Sequence, residues 1–357
     1  MPGADLLSRT HGGSPPPNVL DFSAPSNPLG RPKALDELVL ECAMNGVHGS
    51  YPTRLYAELY ESLSDFLDVS REHLLPLNGA SEALTLIPLS LRARSIVVVE
   101  PNFGDHEVMA RGIGIELRRP LLVQGDGSFS IDVDAVIAEA KRAPRPAVVL
   151  LSRPNNPTGY LAPGRIIDDI SARLPERALL IIDEAFIELS TGSPTPPRED
   201  LVVVRSLTKA FSTPGLRLGA IMTANRKLLE AFASSTQAWP VDSLTACAFS
   251  RFLREPAAKE HVRRGAALVK EQAPVLVSAL RSIGVRAFET DAPFVLIRHE
   301  RMPNPSFQQA LVKRGVYVRD CSSFFGLDAT YSRVSVRGPD ENRLLIRAVS
   351  EVASTWA

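Results

Sequence analysis

The sequence runs to 357 residues, enough for two domains or for one large α/β domain with a smaller appendage, and its 45% hydrophobic and 22% charged residues are ordinary for a globular chain. Lysine plus arginine equals aspartate plus glutamate at 40 each, so no global field draws in nucleic acid or an anionic membrane, and any anion must be bound locally. Cys42, Cys247 and Cys321 are scattered without a CxxC, which argues against a disulfide framework or a zinc site and for a reducing cytoplasm.

The first residues, MPGADLLSRTHGG, contain no long apolar stretch of the signal-peptide kind, so a cytosolic protein is expected. Beyond a proline- and glycine-rich start, Lys33–Met44 reads as a helix. Leu55–Leu67 (LYAELYESLSDFL) carries apolar residues at helical spacing, and Ser81–Leu91 reads as another helix. Five short apolar runs follow: Ile96–Val99, Val148–Leu151, Leu179–Ile182, Leu201–Val204 and Leu218–Met222. Runs of this kind suit strands buried on both faces, as in a mainly parallel sheet. Arg165–Arg173 and Arg226–Ser234 between them read as helices, and the alternation predicts an α/β sandwich. Later the texture changes. ALVKEQAPVLVSALRSIG reads as a long helix, FVLIR, GVYVRD and SRVSVR as short strands, and ENRLLIRAVSEVAST as a terminal helix. The expected organisation is a large domain over 45–254 and a smaller α+β domain made of 1–44 and 255–357.

Most of the chemically unusual residues fall just after predicted strand ends, where open α/β sheets bind ligands. The chain has only seven lysines, so few positions offer a reactive amine. One is Lys209 in RSLTKAFSTPGLRLG, eight residues before Arg217. The pair is either a solvated loop or a covalent anchor with a phosphate clamp beside it. Asp183 ends LLIID as either a capping aspartate or a carboxylate aimed at a cationic ring nitrogen. NGASE (78–82) sets Ala80 and Ser81 before a helix, where backbone N–H groups cap the chain or hold a phosphate. RPNNPTG (153–159) by itself reads as a turn.

Taken in chain order, the NGAS turn, Phe103, Asn156, Asp183, Ser206, Lys209 and Arg217 resemble the fold-type I pyridoxal-phosphate enzymes, the aspartate aminotransferase superfamily, over nearly the whole chain. The resemblance implies a three-layer α/β/α large domain, a homodimer, and pyridoxal 5'-phosphate attached to Lys209. It implies that Asp183 keeps the ring nitrogen protonated, that Asn156 bonds the phenolic oxygen and that Phe103 stacks on the ring. Ala80, Ser81, Ser206 and Arg217 would hold the cofactor phosphate. Tyr51, in SYPT, matches the tyrosine that reaches this phosphate from a second subunit, or else packs before a proline turn. Arg333 matches the arginine that grips the substrate carboxylate.

Three segments resemble the threonine-phosphate decarboxylases of cobalamin biosynthesis more than their histidinol-phosphate aminotransferase relatives. They are HGG (11–13) followed by LDFSAPSNPLG, Phe186 where the aminotransferases generally place tyrosine, and GVYVRDCSSFFGL followed by VSVRGPDEN. The implied activity is that of a lyase acting on a phosphorylated amino acid, with amino-group transfer as the alternative. His11, Asn27, Arg319 and Arg337 are the expected donors to the substrate phosphate. His11 could equally be a solvated residue. Arg337, four residues beyond Arg333, either grips a second anionic end of the substrate or pairs with Asp340 or Glu341. Arg153 stands where the asparagine-rich motif often opens with asparagine. No metal site is expected.

Overall fold

The computed structural model describes residues 12–356. Its centre is a seven-stranded sheet in the spatial order Leu74–Asn78, Leu218–Met222, Leu201–Ser206, Ala178–Glu184, Ala147–Ser152, Ser95–Val98, Glu116–Arg118. Every neighbouring pair is parallel except those made by Leu218–Met222, which is antiparallel to both its neighbours. All five predicted strands are present. The two edge strands were not predicted: Glu116–Arg118 is short and polar, and Leu74–Asn78 contains Pro76, a residue that sheets confine largely to their edges.

Successive residues of these strands serve opposite faces. Val148, Leu150, Ile181, Val202 and Val204 pack with the helices Ser81–Ser90, Asp105–Ile113 and Arg226–Ser235. Val149, Leu151, Leu180, Ile182 and Val203 pack with Leu55–Leu67, Val133–Arg142, Gly164–Arg173 and Ser243–Phe252. The result is three layers. Side-chain caps fix several helix starts: Asp132, Asn225 and Asp242 each accept from the backbone N–H three residues on.

A second, antiparallel sheet has the order Arg286–Ala287, Phe294–Arg298, Tyr331–Ser335, Arg319–Asp320. The helices Pro256–Ser282 and Pro339–Ala353 pack on it through Leu276, Leu280, Leu345 and Val349. The N-terminal segment divides between the two sheets. Leu20–Asp21 pairs with Val316–Tyr317, whereas the Lys33–Met44 helix lies against Ser243–Phe252 beside the large sheet.

That second contact overturns the reading of the cysteines. Cys42 and Cys247 form a disulfide, their Cα atoms 6.3 Å apart, while Cys321 is free and buried. They lie 205 residues apart in sequence, and only the packing of one helix on the other brings them together. Among the described residues no helix is long and apolar enough to cross a membrane.

Candidate active site

A cavity of about 550 Å³ opens at the carboxyl ends of the central parallel strands, between the large sheet and the antiparallel one. Eleven of the residues singled out from sequence line it: Ala80, Ser81, Phe103, Asn156, Asp183, Phe186, Ser206, Lys209, Arg217, Arg319 and Arg333.

Lys209 sits in the four-residue helix Leu207–Ala210 that follows the Leu201–Ser206 strand. Burial, together with the positive charges of Arg333 and Arg217, lowers its amine from 10.5 to about 8. Asp183, near the end of its strand, moves the other way: burial pushes its carboxyl up from 3.8 to about 6. It accepts from the Ala185 N–H at 3.0 Å and from the Ser152 hydroxyl at 3.4 Å, and that hydroxyl also lies 2.8 Å from Asn102 Oδ1. The cavity therefore holds an amine that deprotonates readily and a carboxylate with no cation bonded to it among the described residues.

Arg217 crosses from the lysine loop to the start of the Ser81–Ser90 helix, where its Nη2 donates to Ser81 Oγ at 3.0 Å. Gly79 makes this approach possible. A Cβ there would lie 2.5 Å from Arg217 Nη2, and its φ of +69° is one that glycine adopts without penalty. Ser206 and Thr208 also line the cavity, their hydroxyls 2.8 Å apart. Phe103 meets the ring of His106 edge-on, and Phe186 meets Phe294 in the same way.

Arg333 comes from the antiparallel sheet. It donates to the Ser23 carbonyl at 2.7 Å and to Asn156 Oδ1, lies 5.2 Å over the Phe294 ring, and keeps a buried Nε with no hydrogen-bond partner among the described residues. Burial lowers it to about 10, with the charge of Arg319 acting in the same direction. Arg319 pairs in register with Arg333 on the neighbouring strand and donates to Ser323 Oγ at 2.7 Å.

Three expected residues lie elsewhere. Asn27 is 2% exposed, and its amide is committed to the carbonyls of Ala210 and His261 and to the Leu29 N–H, so it holds the N-terminal segment against the lysine loop. Arg337 pairs with Glu341 at 2.6 Å and donates to the Asp21 carbonyl outside the cavity. Of its two expected roles, the ion pair is the one formed. Tyr51 is 74% exposed, stacks on Trp239 at 4.0 Å and does not line the cavity that holds Lys209. His11 lies outside the described residues. Sequence reasoning did not single out Ser152, Thr208, Ser323 or the Ser23–Pro25 segment, although the last three lie inside the quoted RSLTKAFSTPGLRLG, GVYVRDCSSFFGL and LDFSAPSNPLG.

A sequence model of the family described as aminotransferase class I and II matches residues 7–349. The chain is 29% identical to a threonine-phosphate decarboxylase of Salmonella typhimurium, over 97% of each chain. It is also 29% identical to a histidinol-phosphate aminotransferase of Methanopyrus kandleri, over 95% of this chain and 90% of the relative. Among solved structures, a histidinol-phosphate aminotransferase from Clostridium acetobutylicum superposes with a TM-score of 0.84 at 27% identity, covering 94% of this chain and all of that one.

Proposed function

The chain belongs to the aminotransferase class I and II family, and within it we propose a lyase that decarboxylates L-threonine O-3-phosphate to 1-amino-2-propanol O-2-phosphate, the reaction of threonine-phosphate decarboxylases in cobalamin biosynthesis. It is an enzyme of the lyase or transferase kind and works with pyridoxal 5'-phosphate. The cavity fits that cofactor by its donor set. Gly79 leaves room for Arg217 beside Ser81, a cradle suited to a phosphate, and Asp183 offers a buried carboxylate to a protonated ring nitrogen. Asn156 is the partner for the phenolic oxygen, Phe103 for the ring face, and Lys209 for the carbonyl carbon. Bound there, the cofactor supplies an electron sink for the pair released when a bond at the substrate's Cα breaks.

The chain's own groups do the rest. Lys209, lowered to about 8, exists in both protonation states near neutral pH and is the proton carrier at Cα. In the decarboxylation the Cα–carboxylate bond breaks, CO₂ leaves, and a proton takes its place at Cα.

One observation carries the substrate assignment. Arg319 and Arg333 face each other in register on adjacent strands, both buried and both lining the cavity. Two guanidinium groups side by side at one cavity suit a substrate that brings two anionic groups, a carboxylate and a phosphate. The same pair suits the two carboxylates of 2-oxoglutarate, which favours amino transfer as the second reading. L-threonine O-phosphate offered alone, then histidinol phosphate with 2-oxoglutarate, separates them. CO₂ release from the first without a keto acid supports the lyase; glutamate formation from the second, with no CO₂ from the first, reverses the assignment. Tyr51, exposed and outside the cavity that holds Lys209, fits a homodimer in which it reaches the partner's cofactor phosphate.

A further inference from the structure

The row of residues facing the cavity has a charged counterpart on the other face of the sheet. Ser152 pairs in register with Asp183, and Glu184 pairs with Arg205. Arg153, Glu184 and Arg205 are thus one residue out of phase with the cavity-lining Ser152, Asp183 and Ser206, and leave the sheet on its opposite side.

There they form a buried chain of alternating charge. Arg153, 8% exposed, donates from Nε to the Ala162 carbonyl at 2.9 Å and from Nη1 to Glu184 Oε1 at 2.9 Å and the Ser193 carbonyl at 2.8 Å. Glu184 is fully buried and also accepts from the Thr195 N–H at 3.0 Å and hydroxyl at 2.7 Å. Its second oxygen lies 3.9 Å from Arg205 Nη1, and Arg205 Nε donates to Glu188 Oε1 at 2.8 Å.

A buried ion chain returns little net stability, because removing four charges from water costs about as much as their attraction gives back. Directed bonds do supply something that apolar packing lacks, a fixed spacing between the groups they join. Three of its four members are tied in sequence to cavity residues: Arg153 adjoins Ser152 and stands three residues before Asn156, Glu184 follows Asp183, and Arg205 precedes Ser206. We propose that Arg153, through Glu184 and Arg205, is a positioning residue that sets the spacing of Asn156, Asp183 and Ser206 and thereby the fit of the cofactor ring and phosphate. The inference rests on the reading of those three residues as cofactor contacts.

The test compares the unmodified chain with Arg153→Met, Arg153→Lys and the double variant Arg153→Met/Glu184→Leu. Three quantities are read: the dissociation constant for pyridoxal 5'-phosphate, the pH midpoint of the bound cofactor's visible absorbance, and the Tm. Arg153→Met is expected to weaken cofactor binding by roughly tenfold or more and to move the midpoint. Arg153→Lys keeps the pairing with Glu184 without the guanidinium fork and should recover part of both. The double variant removes the charges as a pair, so it should fold even where the single variant does not, yet its cofactor binding should stay weak. A loss of Tm alone in Arg153→Met, or a double variant that binds the cofactor as the unmodified chain does, overturns the proposal. Failure of the unmodified chain to bind the cofactor would instead overturn the underlying reading of the site, and that binding is measured first.

Discussion

Replacing Asp183 with asparagine should make the cofactor-free protein more stable while impairing its function. Burial raises the Asp183 carboxyl from 3.8 to about 6, so the folded, cofactor-free chain resists ionising a group that the unfolded chain ionises freely. At about 1.4 kcal/mol per pH unit, the rise corresponds to about 3 kcal/mol. Below pH 3.8 the group is protonated in both states and no deficit exists. Between 3.8 and about 6 the unfolded carboxyl ionises first and folded stability falls; above about 6 the deficit is complete. Asparagine keeps an oxygen at the Oδ1 position to accept from Ala185 N–H, and its NH₂ at the Oδ2 position donates to Ser152 Oγ, whose own proton goes to Asn102 Oδ1, so Asp183→Asn should be more stable by up to about 3 kcal/mol at pH 8, with the gap closing toward pH 4. Urea denaturation of both cofactor-free proteins across this range measures it. Saturating pyridoxal 5'-phosphate should reverse the order, since the ring nitrogen then partners only the carboxylate. A variant equal to or less stable than the parent at pH 8, or a gap independent of pH, would refute the reasoning.

Gly79→Ala sets a methyl 2.5 Å from Arg217 Nη2 at a φ of +69°; the backbone strain alone is about 1–2 kcal/mol, and cofactor affinity measured by titration should fall by roughly tenfold or more. Cys42→Ser opens the crosslink to Cys247, and with the two cysteines 205 positions apart the loss should reach about 2–5 kcal/mol, read as a drop in urea midpoint that reductant reproduces in the parent and not in the variant. Arg337→Ala removes a partly exposed pair with Glu341, so kinetics with phosphorylated and unphosphorylated substrates should be unchanged, at a stability cost of about 1 kcal/mol. A selective loss of the phosphorylated substrate would return Arg337 to the cavity.

The parts of this molecule legible in the sequence are those that depend on local pattern. Leu218–Met222 and Phe294–Arg298 match the predicted strands because a continuous apolar run has few other fates. Lys209, Asp183, Asn156 and Arg217 meet at one cavity because Lys209 and Asn156 follow, and Asp183 nearly ends, parallel strands whose carboxyl ends share one side of the sheet, while Arg217 precedes the antiparallel strand that begins on that side. Side-chain direction beyond a strand end was not legible. Arg333 and Arg337 would share a face if the strand continued, but it ends at Ser335, and Arg337 turns to Glu341 instead. Asn27 lies in a segment with a strong family resemblance, yet whether its amide faced a ligand or the carbonyl of Ala210 was decided by the packing of distant elements. The disulfide and the Arg153–Glu184–Arg205 chain were hidden for the same reason, since helix contact and strand register are tertiary facts.

Lys209, its amine lowered by burial and by the charges of Arg333 and Arg217, is the residue proposed to carry the cofactor. Incubation with pyridoxal 5'-phosphate, reduction with borohydride and peptide mass spectrometry test it most directly. The expected result is visible absorbance that reduction removes, and one modified lysine, Lys209, among the seven in the chain. A chain that gains no absorbance, or one modified at another lysine with Lys209 left free, would contradict it.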